Sequence, residues 1–216
     1  MLKINRLDFL ISIYIFCLVA AELMGGKTFP IGNLVGLPLN TSVAVFFIIL
    51  IYSINDIITE VYGKERTRSL IRSGLVVVFL IIVFSLLFTA LPPSKRFAPN
   101  EGAYDLIFGL SVRFSIASLI AFATAEFLDV LVFVKVREKF GKKFLWLRTN
   151  ASNFVSQFVD TTVFMTIAFY SLSTPFNENA IYIIGLMLPY WLIKCFISVL
   201  ETPLVYLGVN WLRKDR

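Results

Sequence analysis

The stretch VAVFFIILIYSINDIITEVYGKERTR (43–68) opens with ten apolar residues, passes through Asp56 and Glu60, and ends in a basic burst. The apolar body predicts a lipid-spanning helix, and Lys64, Arg66 and Arg68 predict its cytoplasmic end. The two carboxylates lie four residues apart, one turn on a shared face. They need a reason, because a charged side chain near mid-bilayer costs about 2.5–3.5 kcal/mol on insertion scales.

The rest of the chain repeats the theme. Of 216 residues, 58% are hydrophobic and 16% are charged, with a mean hydropathy of +0.82. A soluble domain would carry about 45–50% apolar and about 25% charged residues. Six apolar segments can be drawn, at about 9–24, 42–61, 70–91, 114–134, 151–171 and 180–207. The expected fold class is all-α: a polytopic membrane protein of six transmembrane helices forming one domain over 1–216. The first segment resembles a signal peptide in its basic start and short core, yet the charge pattern works best if it stays as a span.

Charge placement sets the expected topology. Fifteen of the 20 Lys and Arg residues fall in the N-terminus, in the gaps after the second and fourth spans, and in the C-terminal tail. Four, Lys27, Lys95, Arg96 and Arg113, fall on the other side, and Lys194 sits within the sixth span. This is the positive-inside pattern, with both termini cytoplasmic. The net charge of +6 is therefore topological, and no nucleic-acid partner is expected. Trp146 and Trp211 sit beside the cytoplasmic basic residues as interfacial anchors do.

Several chemistries are disfavoured. There is no histidine, and Cys17 and Cys195 lie inside separate apolar segments, so neither a disulfide framework nor a metal cluster is indicated. An intramembrane enzyme lacks a nucleophile–base pair, and no catalytic residue or cofactor is expected. GGKT (25–28) resembles the end of a phosphate-binding loop, but Ala21 stands where that loop needs glycine. The surrounding GGKTFPIGNLVGLPLN (25–40) reads as an irregular outer loop, partly re-entrant. PPSKRFAPNEGAYD (92–105) reads as the longest polar outer segment, and 136–150 as an amphipathic cytoplasmic connector.

The polar residues inside the apolar segments form stripes. Asn153, Gln157 and Asp160 are offset by 0, 4 and 7, and Lys194, Ser198 and Glu201 repeat that pattern. Lys194 and Glu201 stand about 10 Å apart along a helix axis, so each should seek partners on other helices. Glu22, Glu126 and Asp129 add further acids. Two readings stay open: a buried network that glues the bundle, or the lining of a site for a polar ligand. Carboxylates, amides and 33 aromatic rings suit a flat, donor-rich heterocycle, and equally an amine or a cation.

SINDIITEVYGKERTR (53–68), LDVLVFVKVREKFGKKFLWLRTNASNFVSQFVDTTVFMTIAFY (128–170) and KCFISVLETPLVYLGVNWLRK (194–214) resemble the bacterial queuosine-precursor transporter family, also called the vitamin uptake transporter family. The resemblance covers almost the whole chain. It implies a six-helix inner-membrane importer, similar to substrate-binding subunits of energy-coupling-factor transporters but working without an ATPase module. The implied cargo is a 7-deazaguanine base or queuine, used for tRNA modification. The alternative is a capture subunit of a multi-component ATP-driven transporter for a vitamin or nucleobase.

Matched position by position, the family motifs fall on Asp56, Thr59, Glu60, Tyr62 and Gly63; on Arg113, Ser118 and Asp129; on Asn153, Gln157, Asp160 and Thr161; and on Lys194 and Glu201. On this basis Asp56, Asn153, Gln157, Asp160 and Glu201 are expected to contact the base, with Lys194 compensating the carboxylates. Glu60, Arg113, Glu126 and Asp129 are assigned to gating or coupling, Glu60 as a latch to the basic loop. Glu22 and Glu126 stand where the family is expected to carry an amide, and an extra acid would favour a cationic aminomethyl base. The expected partners are that small molecule and the lipid bilayer, and a homodimer stays open.

Overall fold

A computed structural model describes residues 5–34, 36–140, 145–200 and 202–213; side chains are described outside 126–127, 129–153, 197–200 and 202–204. Helices α1 (Arg6–Met24), α2 (Ala44–Tyr62), α3 (Lys64–Thr89), α4 (Glu101–Phe140), α5 (Leu145–Phe169), α6 (Phe176–Leu200) and α7 (Thr202–Arg213) account for most of it. A two-stranded sheet of β1 (Thr28–Leu34) and β2 (Leu37–Ser42) separates α1 from α2. Five helical segments are long and apolar enough to cross a membrane: Arg6–Met24, Ala44–Tyr62, Lys64–Thr89, Ala98–Ala125 and Phe176–Phe196. Within α5 the described apolar part is Phe154–Phe169. The chain is a polytopic membrane protein.

The described residues fall into two compact units, drawn from 1–29, 42–115 and 196–216, and from 30–41 and 116–195. In the first unit Asn5 caps α1, its Oδ1 accepting from the Leu7 amide at 2.8 Å. Leu10, Tyr14 and Cys17 follow at helical spacing and are buried, whereas Phe9 and Phe16 point outward. Ile54, Ile57, Ile58 and Val61 form the matching stripe on α2, and Leu70, Val209 and Leu212 complete one cluster. Lipid is as apolar as these side chains, so close packing rather than exclusion from water holds such helices together. Gly208 shows how close: a Cβ there would run into the Ile57 side chain.

The chain passes from α2 to α3 through Gly63 alone, at φ 86° and ψ 165°, a region that is essentially glycine's. Thr59 and Thr67 bridge that turn, hydroxyl to hydroxyl, at 2.7 Å. The entry to α2 is tied to the end of α1 in a similar way. Ser42 Oγ donates to the Gly25 carbonyl at 2.5 Å and accepts from the Ala44 amide at 3.1 Å.

In the second unit Asn179 closes the connection between α5 and α6. Its amide donates to the carbonyls of Ser171 and Thr174, both at 2.8 Å, and its Oδ1 accepts from the Ser171 amide at 2.9 Å.

Three expectations are corrected. The segment expected as an irregular loop is a β-hairpin; its prolines, Pro30 and Pro38, are tolerated because a two-stranded sheet consists of edges. The fourth helix begins at Glu101, inside the expected outer loop, after a 3-10 turn at Ala98–Asn100. At 40 residues it is about 60 Å long, twice the apolar thickness of a bilayer. The expected single span 180–207 is divided: α6 ends at Leu200 and α7 starts at Thr202. Pro203 has no N–H to donate, which suits the first turn of a new helix and not the interior of an old one.

Candidate functional site

The second unit carries the strongest polar constellation. Lys194 lies on α6 with 5% of its side chain exposed, and its Nζ donates to Asp160 Oδ2 at 3.0 Å. The same ammonium donates to Thr161 Oγ1 at 3.1 Å and lies 5.2 Å from the centroid of the Tyr190 ring. Asp160 and Thr161 are consecutive on α5, so a single helix turn supplies both oxygens. A buried lysine without such partners would be costly, and removing one member of a buried pair typically costs about 3–5 kcal/mol.

Asp160 is not used up by this contact. Its side chain is 28% exposed, and its other oxygen, Oδ1, has no partner among the described residues. One turn earlier on the same face, the half-buried Gln157 amide also has no partner among the described residues. Together they offer an anionic acceptor, an amide donor and an amide acceptor. That set suits an edge bearing both N–H and C=O groups. Trp191, three residues before Lys194, stands against Phe154 and Phe158 with centroid separations of 4.6 and 5.3 Å. Its indole Nε1 is buried with no hydrogen-bond partner among the described residues.

The expected site residues of the first unit behave differently. Asp56 is an exposed side chain on α2 with no partner among the described residues. Glu60 accepts from Arg213 of α7 at 3.3 Å, so its partner is the C-terminal helix and not the basic loop that follows α2. Nearby, the Arg6 guanidinium donates to the Trp211 carbonyl and lies 5.1 Å from the Trp211 ring centroid. The remaining motif positions there, Thr59, Tyr62 and Gly63, build the α2–α3 turn and its packing.

Glu22 is 6% exposed, and its Oε2 accepts from Ser115 on α4 at 3.4 Å. Arg113 is half-buried on α4. Glu201, and the side chains of Glu126, Asp129 and Asn153, lie outside the described residues. Lys194, Asp160 and Gln157 are thus brought together, while Asp56 belongs to the other unit. Trp191 and Tyr190 were not among the expected site residues. Their signal was faint: two aromatic residues in an apolar helix, placed three and four positions before its one lysine.

In a many-spanning helical protein, a buried lysine paired with a carboxylate between two helices is the kind of intramembrane charge that marks a functional site, as in membrane transporters. Residues 42–208 match the family described as "Putative vitamin uptake transporter", and the chain belongs to that family. It is 29% identical over 169 residues to a protein of Bacillus subtilis (strain 168) described as "Probable queuosine precursor transporter". That match covers 76% of this chain and 70% of the relative. A Haemophilus influenzae protein of the same description is 29% identical over 152 residues, 69% of this chain and 60% of that protein. The chain therefore spans less than two thirds of the second relative. No solved structure matches. The role these findings support is transport across a membrane.

Proposed function

We propose that this protein imports queuosine precursors, 7-deazaguanine bases or queuine, across a bacterial inner membrane for tRNA modification. The observation that carries the reading is the α5–α6 site: Lys194 charge-pairs Asp160, while Asp160 Oδ1 and the Gln157 amide have no partner among the described residues and are the groups offered to a ligand. Their chemistry fits the N–H and carbonyl edge of a guanine-like ring. The descriptions of the two relatives point to the same cargo.

In this reading six helices span the membrane as one domain with both termini cytoplasmic, following the charge asymmetry. Asp56, Asn153 and Glu201 complete the contacts to the base, and Glu60, Arg113, Glu126 and Asp129 belong to the gates or the coupling step. The chain alternates access by repacking these helices, without an ATPase of its own. Uptake of labelled nitrile base, aminomethyl base and queuine by proteoliposomes holding this chain alone tests the proposal. Accumulation inside is the expected result. Binding without any uptake would instead make the chain the capture subunit of an ATP-driven transporter. A protonophore arm decides proton coupling, since crowded carboxylates can hold a proton.

A further inference from the structure

We propose that the connection between α3 and α4 is a phospholipid site, built for a headgroup that carries a primary ammonium, as phosphatidylethanolamine does. It lies within the first unit and does not depend on the importer reading.

The connection encloses a cavity of about 470 Å³, inside the range of about 300–1,000 Å³ usual for ligand sites. The end of α3 supplies Phe88 to its wall, the connection supplies Ser94 and Phe97, and α4 supplies Glu101 and Tyr104. Phe97 and Tyr104 meet edge to face with centroids 5.7 Å apart, and Tyr104 rests on Phe108 at 4.4 Å. Glu101 is half-buried, and its carboxylate has no partner among the described residues. Aromatic rings and a carboxylate in one wall suit an organic cation.

The place of the cavity selects the source of that cation. The apolar spans Lys64–Thr89 and Ala98–Ala125 meet at this connection, so the cavity sits where hydrocarbon gives way to headgroups. Beside it Leu86, Leu87, Phe88 and Leu91 are each about half exposed, an apolar wall for acyl chains. Lys95 and Arg96 fall in the turn between Ser94 and Phe97, which the Phe97 amide closes by donating to the Ser94 carbonyl at 2.9 Å. Both are exposed, and neither has a partner among the described residues. Two cations thus stand in sequence beside an acid without pairing with it. That arrangement complements a zwitterion, with its phosphate toward Lys95 and Arg96 and its ammonium toward Glu101.

Charge balance then separates the lipid classes. Between Phe88 and Phe108 the charged residues are Lys95, Arg96, Glu101 and Asp105, two of each sign, which favours a net-neutral lipid over an anionic one. Glu101 separates the neutral lipids. The rings attract a primary and a quaternary ammonium alike. Only the primary one has N–H groups to donate to the carboxylate.

The test titrates delipidated protein in detergent with phosphatidylethanolamine, phosphatidylcholine and phosphatidylglycerol of identical acyl chains, and native mass spectrometry counts the bound lipid. Phosphatidylethanolamine should bind at least about fivefold more tightly than either of the others. Glu101→Gln should bring it within about twofold of phosphatidylcholine, with the melting temperature of the lipid-free protein unchanged. Lys95→Gln combined with Arg96→Gln should weaken both of these lipids and keep their ratio. Glycerophosphoethanolamine, the headgroup without chains, should not compete at concentrations where the lipid saturates. Competition as strong as the lipid's own would make this a site for a soluble amine and overturn the lipid assignment. Phosphatidylcholine or phosphatidylglycerol binding as tightly as phosphatidylethanolamine in the wild type would overturn the proposal, and so would an unchanged preference in Glu101→Gln. If a variant fails to fold, the wild-type ratio alone decides.

Discussion

Glu60 on α2 and Arg213 on α7 are ion-paired at 3.3 Å across 153 positions of sequence, and both side chains stay more than half exposed. Water and salt screen such a pair, so it contributes at most about 1 kcal/mol. Glu60→Gln and Arg213→Gln should each lower the melting temperature in detergent only slightly. Any effect on transport should exceed the effect on stability if the pair serves as a gate. Equal, large losses of stability in both variants would show a structural role instead.

The pair of Lys194 and Asp160 differs because Lys194 is buried. Asp160→Asn or Lys194→Met alone should destabilise the protein by about 3 kcal/mol, the low end for a buried pair, since Asp160 is partly exposed. The double variant should lose clearly less than the two losses added, with a coupling of about 1–3 kcal/mol in a double-mutant cycle. Strict additivity would mean that the two charges do not depend on each other.

Gly63 carries a backbone conformation that other residues avoid, between two helices that Thr59 and Thr67 bind together. Gly63→Ala should cost about 1–3 kcal/mol. Thr67→Val should cost about 1 kcal/mol through the lost hydroxyl contact. Thermal unfolding of both variants measures this, and an unchanged Gly63→Ala melting point would refute the claim that the turn needs glycine.

Gly208 packs where a side chain would strike Ile57. Gly208→Val should destabilise by about 1–3 kcal/mol through overpacking. Adding Ile57→Ala should recover part of that loss. If the second substitution only adds damage, the contact does not limit the approach of α7 to α2.

The periodic features were the legible ones. Apolar runs placed the helices, and offsets of 0, 4 and 7 put Gln157 and Asp160 on one face of α5. The pairing of Lys194 with Asp160 was half-legible: a lysine in lipid demands an anion, but α5 and α6 had to fold before one could be chosen. The partner of Glu60 was not legible, because Arg213 is remote in sequence and the nearer basic residues looked sufficient. The hairpin was hidden by Pro30 and Pro38, which read as loop residues before they read as strand edges. Pro203 did carry the break between α6 and α7, but the apolar run on both sides of it masked the signal.

The central claim is that Asp160 and Gln157 present the ligand-binding edge. Titrating purified protein in detergent with the nitrile base measures it most directly, using wild type, Asp160→Asn and Gln157→Ala. The account predicts that each substitution weakens binding at least about tenfold, the value of one well-made polar contact to a charged or buried group. Gln157→Ala should do so with an unchanged melting temperature, because that amide has no partner among the described residues. Binding by both variants as tight as by the wild type would contradict the account.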